Sequence, residues 1–332
     1  MKHGAKRRFG AFGLLVLAAV CALAGCERPR AVYKYEDTLP KDANEVPVTP
    51  LRYELVRTID ANVGDLRGID VDRADRLYLV GSSGLHVLDA EGTERLRVAV
   101  PADANSVSVA DDGTLWVGCP QAVLKFGVDG KPLGNIGTPG EDVGELTHVT
   151  SVLASGGSVF VADADPRQMC VHRFRTDGTF LNDVGRHAQD KKEFLGLVLP
   201  SPHLDMATDA DGHLLVTNTG RLRVEVYDPD GGHPLRTWGT SGIAPDAFSG
   251  CCNPVSLALT PDGYVVTGEK GMFARVKVYD RDGKLLAYIP PSTFPGSPES
   301  MDLAVDSAGR IYVAYPVKDT VMVFERREAG KE

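Results

Sequence analysis

The chain has 332 residues, 43% hydrophobic and 24% charged, with a net charge of −9. That length and balance allow a large buried core and exclude a disordered or fibrous polymer. The acidic balance, with no basic cluster against it, excludes nucleic acid as a partner. The first element in chain order is a basic start, Lys2, Lys6, Arg7 and Arg8, followed by an apolar run from Phe12 to Ala24. This run is too short to span a bilayer comfortably and has the form of a signal-peptide core.

The run ends in Leu23-Ala24-Gly25-Cys26. This ending resembles the lipobox of bacterial lipoprotein signal peptides. The resemblance implies cleavage before Cys26, lipidation of its thiol, and an exported protein anchored to a bacterial membrane on its periplasmic or cell-surface side. Residues 1–25 hold four of the 36 basic side chains and none of the 45 acidic ones, so the remainder carries −13. Residues 26–52 contain Pro29, Pro40, Pro47 and Pro50 and few apolar side chains. They read as the lipidated Cys26 followed by an extended tether.

From residue 53 to 326 one pattern recurs six times. An apolar strand meets a turn, commonly Asp-Gly; a β-branched strand, a polar gap, a third strand, a second turn and a fourth strand follow. In the second copy Val107-Ser108-Val109 leads through Asp112-Gly113 to Leu115-Trp116-Val117, then Val123 to Phe126 and Asp129-Gly130. In the fifth, Leu257-Ala258-Leu259 leads through Asp262-Gly263 to Tyr264-Val265-Val266, then Val276 to Tyr279 and Asp282-Gly283. Asp-Gly between alternating apolar runs is a strong hairpin signal, and four strands at this period predict propeller blades. The sixth copy stops after its third strand, Val321 to Phe324. Tyr53 to Ile59 reads like the missing fourth strand. The expectation is therefore an all-β, six-bladed β-propeller, its last blade closed by an N-terminal strand and its tail at residues 327–332.

The units resemble NHL repeats. The residues that carry the likeness are Val161-Ala162-Asp163 followed by Val171 to Phe174, Val224 to Asp228, and the linking segments Gly137-Thr138-Pro139-Gly140 and Gly239-Thr240-Ser241-Gly242. The resemblance implies the fold; NHL-type propellers include binding modules and a few enzymes.

Loops leading into first strands and loops between second and third strands share one propeller face. The long ones, Asp183 to His203 and Gly239 to Asn253, mark that face as the working one. Cys251-Cys252-Asn253-Pro254 leads into the fifth blade, and Gly268-Glu269-Lys270-Gly271 follows its second strand. Both should converge near the channel mouth, with Arg67, His148 and His203 close by. Adjacent cysteines can close a vicinal disulfide where disulfides persist. The ring is strained, because ordinary disulfides hold Cα atoms about 4.4–6.8 Å apart and neighbouring trans residues sit about 3.8 Å apart. It would serve as a rigid apolar platform or a redox switch; two free thiols are the alternative.

No catalytic set, cofactor motif or tight metal-ligand spacing is present, although thiolates with His148 and His203 offer a transition metal a foothold. Cys119 and Cys170 read as small hydrophobes, with a disulfide between them as the less favoured alternative. The expected function is a non-catalytic module that takes a small molecule, glycan or envelope protein at its mouth. The alternative is a metal- or thiol-dependent lyase or hydrolase at the same place. Convergence of three or more His, Cys or carboxylate groups at the mouth would favour the enzyme.

Overall fold

The computed structural model describes residues 45–186 and 196–328. The segments expected to be signal peptide, lipidated Cys26 and tether, up to residue 44, lie outside the described residues, as do the last four residues and residues 187–195 of the long loop before the fourth blade. The strands form six four-stranded antiparallel sheets. After β1 (Leu51–Asp60), blade 1 comprises β2 (Gly68–Val71), β3 (Leu77–Gly81), β4 (Gly84–Leu88) and β5 (Glu94–Val98). Blade 2 comprises β6 (Ser106–Val109), β7 (Leu115–Cys119), β8 (Ala122–Phe126) and β9 (Pro132–Ile136). Blade 3 has β10 (Val149–Ser155), β11 (Ser158–Asp163), β12 (Cys170–Arg175) and β13 (Phe180–Val184). Blade 4 has β14 (Met206–Thr208), β15 (Leu214–Asn218), β16 (Arg223–Tyr227) and β17 (Arg236–Trp238). Blade 5 has β18 (Ser256–Leu259), β19 (Val265–Glu269), β20 (Arg275–Tyr279) and β21 (Leu285–Ile289). Blade 6 has β22 (Asp302–Val305), β23 (Ile311–Tyr315) and β24 (Thr320–Glu328), and β1 completes it.

Closure follows the expected route. β1 runs antiparallel to β24 from Leu51 opposite Glu328 to Asp60 opposite Thr320, with a bulge between Leu55 and Arg57. The paired segment is slightly longer at each end than Tyr53 to Ile59.

Second strands are buried on both faces because they lie between two neighbouring blades. Their alternate side chains serve opposite interfaces. Leu115 and Val117 pack with Tyr78 and Val80 of blade 1, whereas Trp116 packs with Val152 and Val161 of blade 3. The apolar side chains form six clusters, one per interface between successive blades. Gly113, at φ +83°, takes the left-handed turn that returns β6 as β7.

First strands line the central channel, so one edge of each lacks a strand partner. Side chains of neighbouring blades supply acceptors there. Val109 N–H donates to Asp70, Ala154 N–H to Ser108 Oγ, Leu257 N–H to Asp205 and Ile69 N–H to Asp302, at 2.7–3.1 Å. The polar residues around the channel thus satisfy edge amides that would otherwise be orphaned.

Candidate functional site at the channel mouth

Two adjoining hollows open on the face that carries the lead-in loops. The first, about 200 Å³, is a polar cup over the channel lined by Arg67, Asn105, His148, His203, Asp205 and Asp302. The second, about 810 Å³, lies between the loops of blades 5 and 6. Its walls include Cys251, Cys252, Lys270, Met272, Phe273 and Pro298, with Glu299 at the rim. Pro202 and His203 belong to both.

Blade 5 builds the larger hollow from a braced loop. Asn253 is buried; its amide donates to Ser249 O at 2.8 Å and Lys270 O at 3.3 Å, and its Oδ1 accepts from Lys270 N at 2.9 Å. This clamp ties the Cys-Cys loop to the end of β19. Cys251 is exposed and Cys252 half-buried; their sulfurs lie 2.9 Å apart and are not bonded. Hydrogen bonding with Cys252 holds the Cys251 thiol above its ordinary pKa. Met272, 40% exposed, and Phe273 come from a short 3-10 turn, Gly271–Phe273, between β19 and β20. Gly268 in β19 has no room for a side chain: a Cβ there would sit 2.3 Å from Ser256 Oγ.

Glu269 corrects the sequence expectation. It does not face the hollow but is completely buried on the face of the blade 5 sheet. Its carboxylate accepts from Ser249 N and Oγ at 2.7 and 2.8 Å and pairs with Arg275 and Lys277 at 2.7 Å each. Burial opposes its ionisation, but Lys277 and Arg275 outweigh that and lower its pKa. Lys277 is pushed down to about 8 by burial, which exceeds the support it receives from Glu269. Glu269 therefore anchors the loop that presents the cysteines.

His148 and Arg67 reach the polar cup and not the larger hollow. Arg67 is committed: it pairs with Asp65 and donates to Ala102 O at 2.6 Å and Ala104 O at 3.1 Å, spanning blades 1 and 2. His203 is pushed down to about 4, chiefly by burial and then by Lys270 and His148 nearby, so its imidazole is neutral at pH 7. Among the described residues, no three Cys, His, Asp or Glu side chains at the mouth converge on one point. The two groups that do converge lie elsewhere, at Cys170, His172 and Asp183 and at Asp209, Asp211 and His213. The second group is turn chemistry, since Asp209 Oδ1 accepts from Asp211 N and His213 N at 3.0 and 2.9 Å.

Sequence reading missed three channel carboxylates as a set. Asp70 and Asp205 are pushed up to about 6 by burial, and Asp302 rises well above its ordinary range through burial and the Asp205 charge. Each borders the narrow channel space. A carboxyl group whose folded pKa exceeds its unfolded value stabilises below about pH 4, and that stability is lost as pH rises through about 6. His203, with a depressed folded pKa, acts in the opposite sense over the same window. Asp70→Asn isolates one contribution: urea unfolding across pH 4–7 should show a smaller loss of stability with rising pH in the variant. An identical slope in both proteins contradicts the assignment.

The sequence matches no family model and no curated protein. Among solved structures, the chain is similar to a gluconolactonase from Xanthomonas campestris, with TM-score 0.56 and 15% identity over 87% of this chain and 99% of that one. It is also similar to the WD40 β-propeller domain of Doa1, with TM-score 0.53 and 16% identity over 82% of this chain and 97% of that one. At such identities the likeness concerns architecture, and together with the six sheets it makes this chain a six-bladed β-propeller.

Proposed function

We propose that the protein is an exported, lipid-anchored, NHL-type propeller that binds a small molecule without transforming it, in the hollow between blades 5 and 6. The observation that carries this reading is the hollow itself. Its volume of about 810 Å³ suits a small ligand, its walls include thiols, a thioether and an aromatic ring, and Lys270 stands in it without an ion pair among the described residues. The fitting ligand class is an apolar body bearing one carboxylate or phosphate. In an oxidising compartment Cys251 and Cys252 close to a vicinal disulfide and form a rigid floor; a mass lower by two hydrogens in the unreduced peptide tests that step.

The binding experiment screens amphipathic acids by calorimetry against the wild type and Lys270→Glu. Hits are expected to weaken at least about tenfold in the variant, about 1.4 kcal/mol. Hits that bind both proteins equally, or a screen without hits, contradict the reading.

A second reading places an enzyme at the adjoining cup. It is favoured by the neutral His203 beside His148 and the channel carboxylates, and by the gluconolactonase among the similar structures. Hydrolysis of a sugar lactone by the purified protein, lost in His203→Ala, would reverse the ranking.

A further inference from the structure

Blade 3 carries a second cluster of chemically active side chains, away from both hollows. Cys170 and His172 alternate along β12 and so share one sheet face. The register sets Asp163 of β11 opposite Cys170 and Asp183 of β13 opposite His172. All four side chains therefore stand on one patch. Cys170, His172 and Asp163 are completely buried, and the Asp183 side chain is 12% exposed.

Three potential ligand atoms lie close together. Cys170 Sγ lies 3.9 Å from His172 Nδ1, 3.8 Å from its Nε2 and 3.9 Å from Asp183 Oδ1, and Nδ1 lies 2.7 Å from Oδ1. A tetrahedral zinc ion, with bonds of about 2.0–2.3 Å, spaces its ligands about 3.3–3.7 Å apart. Opening the Nδ1–Oδ1 pair by about half an ångström and drawing Sγ in by about 0.3 Å brings all three separations into that range. The outer supports are present as well. Asp163 Oδ2 sits 3.8 Å from the far ring nitrogen, Nε2, and is itself held by Thr147 N and Oγ1 at 2.7 and 3.0 Å. Arg186 Nε binds the second oxygen of Asp183 at 2.7 Å. A carboxylate behind the imidazole and a donor behind the carboxylate are what orient ligands around a bound ion.

Blade 5 shows what the patch looks like when side chains alone balance it. The same register positions hold Glu269, Arg275, Lys277 and Tyr288, so two buried cations meet one carboxylate. Blade 3 replaces those two cations with a cysteine and a histidine, and replaces the tyrosine with a second carboxylate. The patch holds one more carboxylate than its blade 5 counterpart, with Arg186 on the outer oxygen of Asp183, and carries two potential metal ligands where blade 5 has an arginine and a lysine.

We propose that Cys170 Sγ, His172 Nδ1 and Asp183 Oδ1 bind a zinc-class divalent cation, with Asp163 orienting the imidazole. Starting from the imidazolium flanked by Asp163 and Asp183, uptake of one dication releases the thiol proton and the Nδ1 proton to solvent and leaves Nε2–H in place on a neutral imidazole, so the buried charge is unchanged. Through Asp163 the ion steadies Thr147 and His148, whose backbone N–H groups donate to that carboxylate.

The test strips the purified protein with a chelator, then titrates it with zinc or cobalt(II). One ion per chain is expected. Cobalt should give sulfur-to-metal charge-transfer absorption with tetrahedral visible bands, and X-ray absorption on the zinc form should show one sulfur among nitrogen and oxygen neighbours. Cys170→Ser should lose the charge-transfer band and bind at least about 100-fold more weakly. The double variant Cys251→Ser/Cys252→Ser should keep one ion and the band. Absence of a bound ion, two sulfur neighbours, or loss of the ion only in the double variant overturns the proposal. Should Cys170→Ser not fold, the sulfur count in the wild type and the double variant decides the question.

Discussion

Removing residues 45–60 is expected to leave a chain that does not fold to a monomer. β1 pairs with β24 along most of its length, from Leu51 opposite Glu328 to Asp60 opposite Thr320. Ile59 is buried in the cluster between blades 6 and 1, and Leu51 and Tyr53 pack on the cluster between blades 5 and 6. Each ladder hydrogen bond contributes roughly 1 kcal/mol and each buried aliphatic side chain roughly 1.5–3 kcal/mol. Their sum is comparable to the whole stability of a domain, roughly 5–15 kcal/mol. The deletion also exposes β24, whose apolar core Val321 to Phe324 would then border an open edge. Size-exclusion chromatography should show aggregate, and thermal unfolding should lose its cooperative transition. Ile59→Ala, a milder probe, should cost about 2–4 kcal/mol.

Glu269→Ala should be the most damaging single substitution near the mouth, at about 3–5 kcal/mol. It leaves Arg275 and Lys277 buried without their anion, which costs far more than losing an exposed pair. It also frees Ser249, whose N–H and hydroxyl both donate to that carboxylate, and so loosens the loop carrying Cys251 and Cys252. The damage should shrink at high pH. Lys277 has a folded pKa of about 8, below the unfolded value near 10.4. The folded chain therefore releases its proton first, and stability rises with pH between those values. Without Glu269 the folded pKa of Lys277 falls further and the window widens downward. Urea unfolding at pH 7 and pH 10 measures both effects; a loss below 1 kcal/mol at pH 7 contradicts the network.

The blades were legible because Asp-Gly turns between alternating apolar runs fix both turn type and strand polarity. Closure was legible because Tyr53 to Ile59 alternates like a fourth strand and the sixth unit lacks one. Side-chain direction at strand ends was not. In Gly268-Glu269-Lys270-Gly271, Glu269 is the last residue of β19 and points into the sheet face, while its neighbour Lys270 reaches the hollow. Nothing local separates the two; the pairing of Glu269 with Arg275 does. The walls contributed by Met272 and Phe273 depend on a 3-10 turn whose apolar residues read as ordinary loop. In blade 3, Cys170 and His172 show the two-residue spacing of a shared strand face. That signal was available, but the carboxylates that complete the set stand on separate strands and meet them only through register.

The proposed ligand hollow has a natural reporter. Apart from Met1, the methionines are Met169, Met206, Met272, Met301 and Met322, and Met272 lines the hollow while Met322 lies in the core between blades 5 and 6. Methyl NMR of methionine-labelled protein, titrated with small aromatic carboxylic and phosphonic acids, reads the site directly. Saturable shifts are expected at Met272, with Met322 and Met169 still. A Met272 signal that stays fixed throughout, or shifts confined to the other methionines, would contradict the assignment of this hollow as the binding site.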